Sequence, residues 1–526
     1  MEEKMCGILV AQEKEIDLEK GLYKIEHRGP DSTRTIFKND MVFMFNRLAI
    51  MGLSESGMQP FCFEDNILVC NGEIYNYNEI KSELRYNSWK SESDCEVLLP
   101  LYKEIGLQLF SALDAEFALV MYDSSLDKII AGRDPLGIRP LFYGYSKKTK
   151  KIIFASEMKA IIDFVEQVNP FPPGHYYIDD RFIKFTDILN FDTYSKHNLD
   201  AVIINIREKL EKAVIKRLDS DASMGFLLSG GLDSSLVCSI ASKHSNKKIK
   251  TFSIGMEKDA IDLKYAKQVA DYLGTEHEEI IISKKDVLET LDELIYHLET
   301  YDITTIRAGM GMYLVCKYIH SNTDIKVLHT GEVSDELFGY KYTDFAPDEH
   351  EFQKECIKRI DEIYMYDVLR ADRTLAAHSL EARVPFGDID FVSYIMRIDP
   401  NIKMNKYNMG KYLLRKAFEG DYLPQNILYR DKAAFSDAVG HSLVDILKEY
   451  SETRYSDNEF EYKRNKYAFI KPFTKEALLY MEIFNKYYPN HSHAIKDYWM
   501  PNKQWKGCNV IDPSARVLSN YGKSGE

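Results

Sequence analysis

The sequence predicts two domains of different class: an amino-terminal α+β block of antiparallel strands with helices between them, then an α/β domain on a parallel sheet. Short apolar runs separated by turns fill the first third of the chain, and from about residue 203 strands and helices alternate. At 526 residues the chain also exceeds the usual reach of one hydrophobic core, so at least two domains are expected.

In the first block, residues 117–122 form an apolar run, 123–127 a turn and 128–131 a second run. The pattern repeats at 141–145 and 152–155 around the charged stretch 147–151, and reads as an antiparallel meander. A further hairpin is expected at 175–185, turned by Asp179-Asp180. Helical spacing of apolar residues marks 78–84 and 96–105. Periodicity is lost between 185 and 200, where Tyr194-Ser195-Lys196-His197-Asn198 reads as the interdomain linker. Next come helix 203–218, strand 224–228, helix 235–244, strand 250–254, helix 265–273, strand 279–282, helix 287–298 and strand 325–328. Such alternation implies a parallel sheet covered on both faces. Residues 349–490 read as mostly helical, and 501–526, carrying Pro, Gly, Ser and Asn, as a weakly ordered tail. The expected domains are 6–190 and 200–500, followed by that tail.

Composition excludes several classes. With 45% hydrophobic and 29% charged residues the chain reads as a soluble globular protein, not a disordered one. No stretch nears the roughly 18 apolar residues of a spanning helix, so no membrane partner is expected. The charge sum is −14, from 68 basic and 82 acidic residues without a long basic block, which argues against a nucleic-acid partner. The amino terminus has only a short apolar run between charged residues, unlike a signal peptide. Eight cysteines lie scattered without a CxxC pair, so neither a zinc site nor a disulfide framework is expected, and a reducing cytoplasm is the expected setting.

The sharpest motif is Leu227-Leu228-Ser229-Gly230-Gly231-Leu232-Asp233-Ser234-Ser235, at the end of an apolar strand and the start of a helix. A Gly-Gly pair alone is usually a turn. Here two glycines let backbone N–H groups face one anion, and three serine hydroxyls add donors where the helix dipole favours negative charge. The loop lacks the Lys of a Walker A motif, so gripping pyrophosphate during transfer at the α-phosphate suits it better than γ-phosphoryl transfer. Asp233 would repel a polyphosphate unless Mg²⁺ stood between them. A second loop, Thr330-Gly331-Glu332-Val333-Ser334-Asp335-Glu336, again follows a strand, where ligands of open α/β sheets collect. Its bland alternative is a solvated acidic loop. Asp233 and Asp335 are the candidate metal ligands. Near the amino terminus, Met5-Cys6-Gly7-Ile8 precedes an apolar strand. A lone cysteine is most often a small buried hydrophobe. At the start of a mature chain, however, it can use its own α-amine, of reference pKa about 7.7 to 8.0, as general base. Asn71-Gly72-Glu73 could offer a side-chain amide and a backbone N–H to an oxyanion, or simply be a turn.

Together these residues resemble the glutamine-dependent asparagine synthetases, particularly the bacterial, cysteine-first type. The likeness runs the length of the chain. It takes in His27-Arg28-Gly29-Pro30-Asp31, Arg47-Leu48-Ala49-Ile50, Asn71-Gly72-Glu73-Ile74-Tyr75-Asn76, Ser93-Asp94-Cys95-Glu96 and Arg133-Asp134-Pro135-Leu136-Gly137. It continues with Ser156-Glu157-Met158-Lys159, the Ser-Gly-Gly loop, Glu299-Thr300-Tyr301-Asp302, Thr304-Thr305-Ile306-Arg307, Glu381-Ala382-Arg383-Val384-Pro385-Phe386 and Asp512-Pro513-Ser514.

The resemblance implies an amino-terminal nucleophile glutaminase, an αββα sandwich, followed by an adenine-nucleotide domain with a pyrophosphate loop. By that likeness Cys6 attacks the glutamine amide and Asn71 and Gly72 form the oxyanion hole. Arg47 pairs with the glutamine α-carboxylate and Asp94 with its α-ammonium, while Leu48, Ala49, Ile50 and Glu73 complete the pocket. ATP lies against Leu227, Ser229, Gly230, Gly231, Asp233, Ser234, Ser235, Ile254, Thr330 and Gly331. Aspartate attacks the α-phosphate to give β-aspartyl-AMP and pyrophosphate, with Mg²⁺, Arg307 and Lys432 offsetting the charge and Glu332 assisting attack by ammonia. A homodimer is what the family implies.

The sequence also departs from the family. Met1 to Met5 precede Cys6, whose nitrogen in the chain as written is an amide and no base. A start at Met5 is favoured over clipping of Met1 to Met5 or a dead glutaminase using free ammonia. Val333 replaces a small residue, commonly glycine, and Gly387 stands where leucine is usual. The alternatives are a relative that amidates or cyclises another carboxylate, as β-lactam synthetases do, and a non-catalytic scaffold on a decayed enzyme.

Overall fold

The computed structural model describes residues 6–13, 16–258, 260–431 and 439–522. Its amino-terminal part stacks two six-stranded antiparallel sheets. In spatial order one holds Asn169–Pro170, Phe142–Tyr145, Ile152–Ala155, Gly7–Ala11, Met41–Arg47 and Ser32–Lys38. The other holds Arg181–Lys184, His175–Ile178, Lys128–Arg133, Ala115–Asp123, Asn66–Ile74 and Phe61–Phe63. The two-residue period of a strand sorts the side chains. Ile8 and Val10 pack between the sheets with Val69, Ala118 and Val120. Leu9 and Ala11 pack on the opposite face with Leu22 of helix Glu19–Lys24. Beyond the second sheet, Leu68, Cys70 and Leu119 meet Leu98, Leu99 and Leu101 of helix Leu98–Ile105. The layers are therefore helix, sheet, sheet, helix, the αββα sandwich.

All three expected hairpins form, but the two of the meander lie in different sheets, which corrects the single meander. Between them Asp134 accepts the backbone N–H groups of Leu136, Ile138 and Arg139 at 3.1, 3.0 and 2.9 Å, turning the chain from one sheet into the other. Turn residues mark where strands end and carry no signal of which sheet comes next.

The second sheet system is parallel, in the order Glu276–Ile282, Lys250–Met256, Met224–Leu227, Val327–His329, Glu381–Arg383. Strand order reverses beside Met224–Leu227, so the loops after it and after Val327–His329 open around one crevice at the carboxyl ends of the strands. Helix Ile303–Asn322 and strand Glu381–Arg383 have no counterpart among the expected elements. The helix is buried on most sides and contains Gly309 and Gly311, so it shows no apolar stripe. Residues 501–522 are a further correction: Trp505, Cys508 and Leu518 are buried against Tyr342, packed without any regular period.

The two parts meet across buried ions. Arg28 Nη1 lies 2.6 Å from Glu157 and 2.9 Å from Asp372 of helix Asp367–Ala376, while Arg373 and Lys159 pair with Glu299 at 3.0 and 3.3 Å. Three cations, Arg28, Lys159 and Arg373, thus balance three anions, Glu157, Glu299 and Asp372. A second lattice links Arg139 and Arg217 to Glu116 at 3.2 and 3.0 Å, Arg217 to Asp388 at 3.0 Å and Arg383 to Glu73 at 2.9 Å. Gly387 fits beside this lattice because Ile138 fills the space: a Cβ there would stand 3.0 Å from the Ile138 Cδ1 atom.

Candidate functional site

Cys6 sits at the entry to strand Gly7–Ala11, with Sγ 3.4 Å from both the N and the O of Leu48. Burial pushes its thiol up to about 12, with the Leu48 backbone opposing that shift. Arg28 Nε donates to the Cys6 carbonyl at 3.1 Å. A chain of contacts leads on from Arg47, the neighbour of Leu48. Arg47 Nη1 donates to Ser54 O at 2.8 Å and Nη2 to Gly52 O. Gly52 abuts Ser93, beside which Asp94 accepts the Ile74 N–H at 2.7 Å. Burial raises the Asp94 carboxyl to about 6. Ala49 N donates to Asp31 at 2.8 Å, and Leu48 and Ile50 pack against Cys6 and Tyr77.

Asn71 and Gly72 lie inside strand Asn66–Ile74, paired with Ala118 and Phe117, so they are no hairpin turn. Gly72 is required sterically, since a Cβ would fall 2.4 Å from Glu116 O. Both polar atoms of the buried Asn71 amide lack a hydrogen-bond partner, an arrangement that costs free energy unless a ligand completes it. Glu73 instead reaches across the domain interface to Arg383.

At the sheet crevice a cavity of about 240 Å³ is lined by Leu227, Ser229, Gly231, Asp233, Ser234, Ile254, Arg307, Thr330, Gly331, Glu332 and Asp335. Gly230 and Ser235 lie off its wall. Gly230, at φ +71°, backs onto helix Ile261–Leu273, where a Cβ would meet Ala266 N at 2.4 Å. Ser235 is fully buried with its hydroxyl unpartnered. Ser229 and Ser234 share a hydroxyl contact of 3.0 Å that shapes the loop, and Gly331 closes on Ser234 N. The Thr330 hydroxyl is buried without a partner.

Asp233 and Asp335 converge on one nitrogen, Lys411 Nζ, at 2.7 and 2.6 Å. Their oxygens therefore already define a cation position beside the loop. Glu332 is held by Arg370 at 2.6 Å, and Arg307 by Glu476, Asp512 and Ser514. Lys432 lies outside the described residues. Lys411, Arg370, Asp367 and Arg430 line the cavity too and were not expected there. Asp367 and Arg370 lie in a helix, Lys411 and Arg430 outside one, and all are single charged residues that only tertiary contacts set apart.

Known proteins divide the chain along the same lines. Residues 5–180 match the glutamine amidotransferase domain family, and 205–347 and 344–511 match the asparagine synthase family. The class is thus a glutamine amidotransferase joined to a synthetase. A protein of Acanthamoeba polyphaga mimivirus named "Probable asparagine synthetase", glutamine-hydrolysing, is 42% identical, over 98% of this chain and 100% of its own. The glutamine-hydrolysing asparagine synthetase of Zea mays is 40% identical over 98% of this chain and 94% of its own. That of Saccharomyces cerevisiae, its enzyme 1, is 38% identical over 99% and 100%. The chain belongs to the family of glutamine-hydrolysing asparagine synthetases. These viral, plant and fungal relatives do not set the bacterial type apart.

Val333 caps helix Ser334–Phe338 with φ 80° and ψ −23°, a left-handed conformation for a β-branched residue whose side chain is buried in the second core. Such strain costs on the order of 1 to 3 kcal/mol. Glycine is free of it, whereas alanine is not. Val333→Gly is therefore expected to unfold at a higher urea concentration than Val333→Ala although it deletes more side chain; the reverse order would show that the backbone there is unstrained.

Proposed function

We propose that the chain makes asparagine, AMP, pyrophosphate and glutamate from aspartate, ATP, glutamine and water. The observation that carries this is the presence in one chain of a half-buried cysteine held against the Leu48 backbone and a nucleotide-loop cavity, joined by one helix. Asp372 of helix Asp367–Ala376 holds the arginine on the Cys6 carbonyl, and Arg370 of the same helix holds Glu332.

In the first site Cys6 attacks the glutamine amide. Its thiol, held near 12, needs a base, and a free amine on its own nitrogen supplies one, so the chemistry calls for a mature chain beginning at Cys6. Arg47, whose guanidinium is steadied by carbonyls, takes the α-carboxylate, and Asp94 the α-ammonium. Leu48, Ala49 and Ile50 shape the walls, and Glu73 braces them through its pairing with Arg383. The Asn71 amide and the Gly72 N–H hold the oxyanion. Ammonia must stay unprotonated to react, so it crosses to the second site through a largely apolar passage.

There the aspartate β-carboxylate attacks the α-phosphate of ATP. Adenylation is needed because resonance and charge protect a free carboxylate from an amine. Ser229, Gly231 and Ser234 cradle the phosphates, and Leu227, Ile254, Thr330 and Gly331 flank the nucleotide. Gly230 and Ser235 support the loop from behind. Positive charge from Arg307 and Lys432 offsets the charge building as the carboxylate meets the α-phosphate, and Glu332 assists ammonia on the β-aspartyl-AMP. Asp233 and Asp335, both paired with Lys411 Nζ, would hold Mg²⁺ beside the loop once that lysine turned away from them. Bound there, Mg²⁺ would supply positive charge to the phosphates. The same proposal includes a cytoplasmic homodimer; among the described residues no helix is long and apolar enough to cross a membrane.

Amide-¹⁵N glutamine with ATP, Mg²⁺ and aspartate is expected to give ¹⁵N-asparagine, measured by mass spectrometry. Cys6→Ala should abolish that transfer while ammonia-driven synthesis persists; loss of both, or of neither, contradicts the division of labour. The Asp94 carboxyl near 6 sets a pH limb. Above that pH it is the carboxylate an ammonium needs, and as pH falls through it the KM for glutamine is expected to rise. Asp94→Asn should show a high KM with that limb flattened.

A further inference from the structure

Every nitrogen of the Arg307 guanidinium is engaged by the protein. Nε and Nη2 donate to the two oxygens of Glu476 at 2.8 and 2.5 Å, and Glu476 is fixed in turn by the Tyr480 hydroxyl at 2.8 Å. Nη1 donates to Asp512 Oδ1 at 2.9 Å and Ser514 Oγ at 2.6 Å. The two carboxylates differ in how firmly they are held. Glu476 is buried on helix Lys475–Tyr487. Asp512 belongs to the carboxyl-terminal strap; its side chain is 19% exposed against 4% for Arg307, and the neighbouring Ile511 is 72% exposed. Pro513, Ser514 and Ala515 form part of the cavity wall.

The group on Nη1 is the carboxylate of an aspartate side chain, the same group the proposed acceptor carries. Arg307 and Lys448 balance Glu476 and Asp512. An incoming carboxylate that replaced Asp512 on Nη1 would take over its contact with Arg307, and Asp512 would keep Lys448 for a partner. No buried charge is stranded by such an exchange, which removes the main cost of breaking a buried pair.

With aspartate as the acceptor proposed above, we infer that Asp512 is a specificity-determining residue: it is an in-chain occupant of the seat on Arg307 that a carboxylate of the acceptor takes, and acceptor binding displaces the strap. The displacement is local. Trp505, Cys508 and Leu518 stay anchored against Tyr342, and Arg516 pairs with Asp445 at 2.6 Å.

Asp512→Asn keeps the shape and removes the charge. With ammonia as donor it is expected to lower the KM for aspartate by about two- to fivefold, the range of a partly exposed ion pair, with the KM for ATP unchanged. A raised or unchanged aspartate KM would overturn the inference, a raised one marking Asp512 as a support for Arg307. Hydrogen exchange in the full-length wild-type protein gives a readout that does not depend on turnover. Saturating aspartate should speed exchange in the segment 505–518, and slower or unchanged exchange contradicts displacement. Ammonia-driven asparagine formation by the wild type, run in parallel, fails only if the proposed function fails, so the two failures are told apart.

Discussion

The structure depends on the burial of Arg28. Its Nε holds the carbonyl of the candidate nucleophile, its Nη1 meets Glu157 on the same domain, and its two terminal nitrogens reach Asp372 on the other. From Asp372 the helix Asp367–Ala376 runs back to Arg370, which grips Glu332 at the edge of the nucleotide cavity. Cys6 and Glu332 are therefore positioned by one guanidinium and one helix.

Burying so many ions is not a route to stability by itself, because desolvation opposes the gain from pairing. What it does supply is a penalty for misdocking. Any shift of one domain on the other strands a buried charge, and removing one partner of such a pair costs about 3 to 5 kcal/mol. An apolar interface would tolerate sliding; alternating arginines and carboxylates do not. For two sites that must exchange a small reactive molecule, fixed registry matters more than adhesive strength.

Much of this could be read from sequence, and the exceptions follow a pattern. The alternating strands and helices and the Ser-Gly-Gly loop were legible because they are local, set by residues within one turn of each other. The assignment of hairpins to sheets was not, nor was helix Ile303–Asn322, whose all-round burial erases periodicity. The motifs carrying the family likeness turned out to divide in two. Cys6, Asn71 and Asp94 are the candidate glutamine-site residues, and Asp233 and Glu332 line the cavity. Arg28, Glu157, Glu299 and Arg383, quoted beside them, belong to the docking lattices. Spacing cannot reveal that use, since Arg28 finds partners 129 and 344 residues away. Lys411 was invisible for the same reason: its two aspartates lie in the first turns of helices Leu232–His244 and Ser334–Phe338, far away in the chain.

If Arg28 and Asp372 set the registry of the two sites, loosening them should separate glutamine hydrolysis from asparagine formation. The direct measurement is the ratio of glutamate to asparagine formed by Asp372→Asn with glutamine as donor, against the wild type. Glutamate should outrun asparagine in the variant while synthesis from added ammonia is retained. Equal yields of the two products in a folded variant would contradict a role for this ion pair in joining the sites.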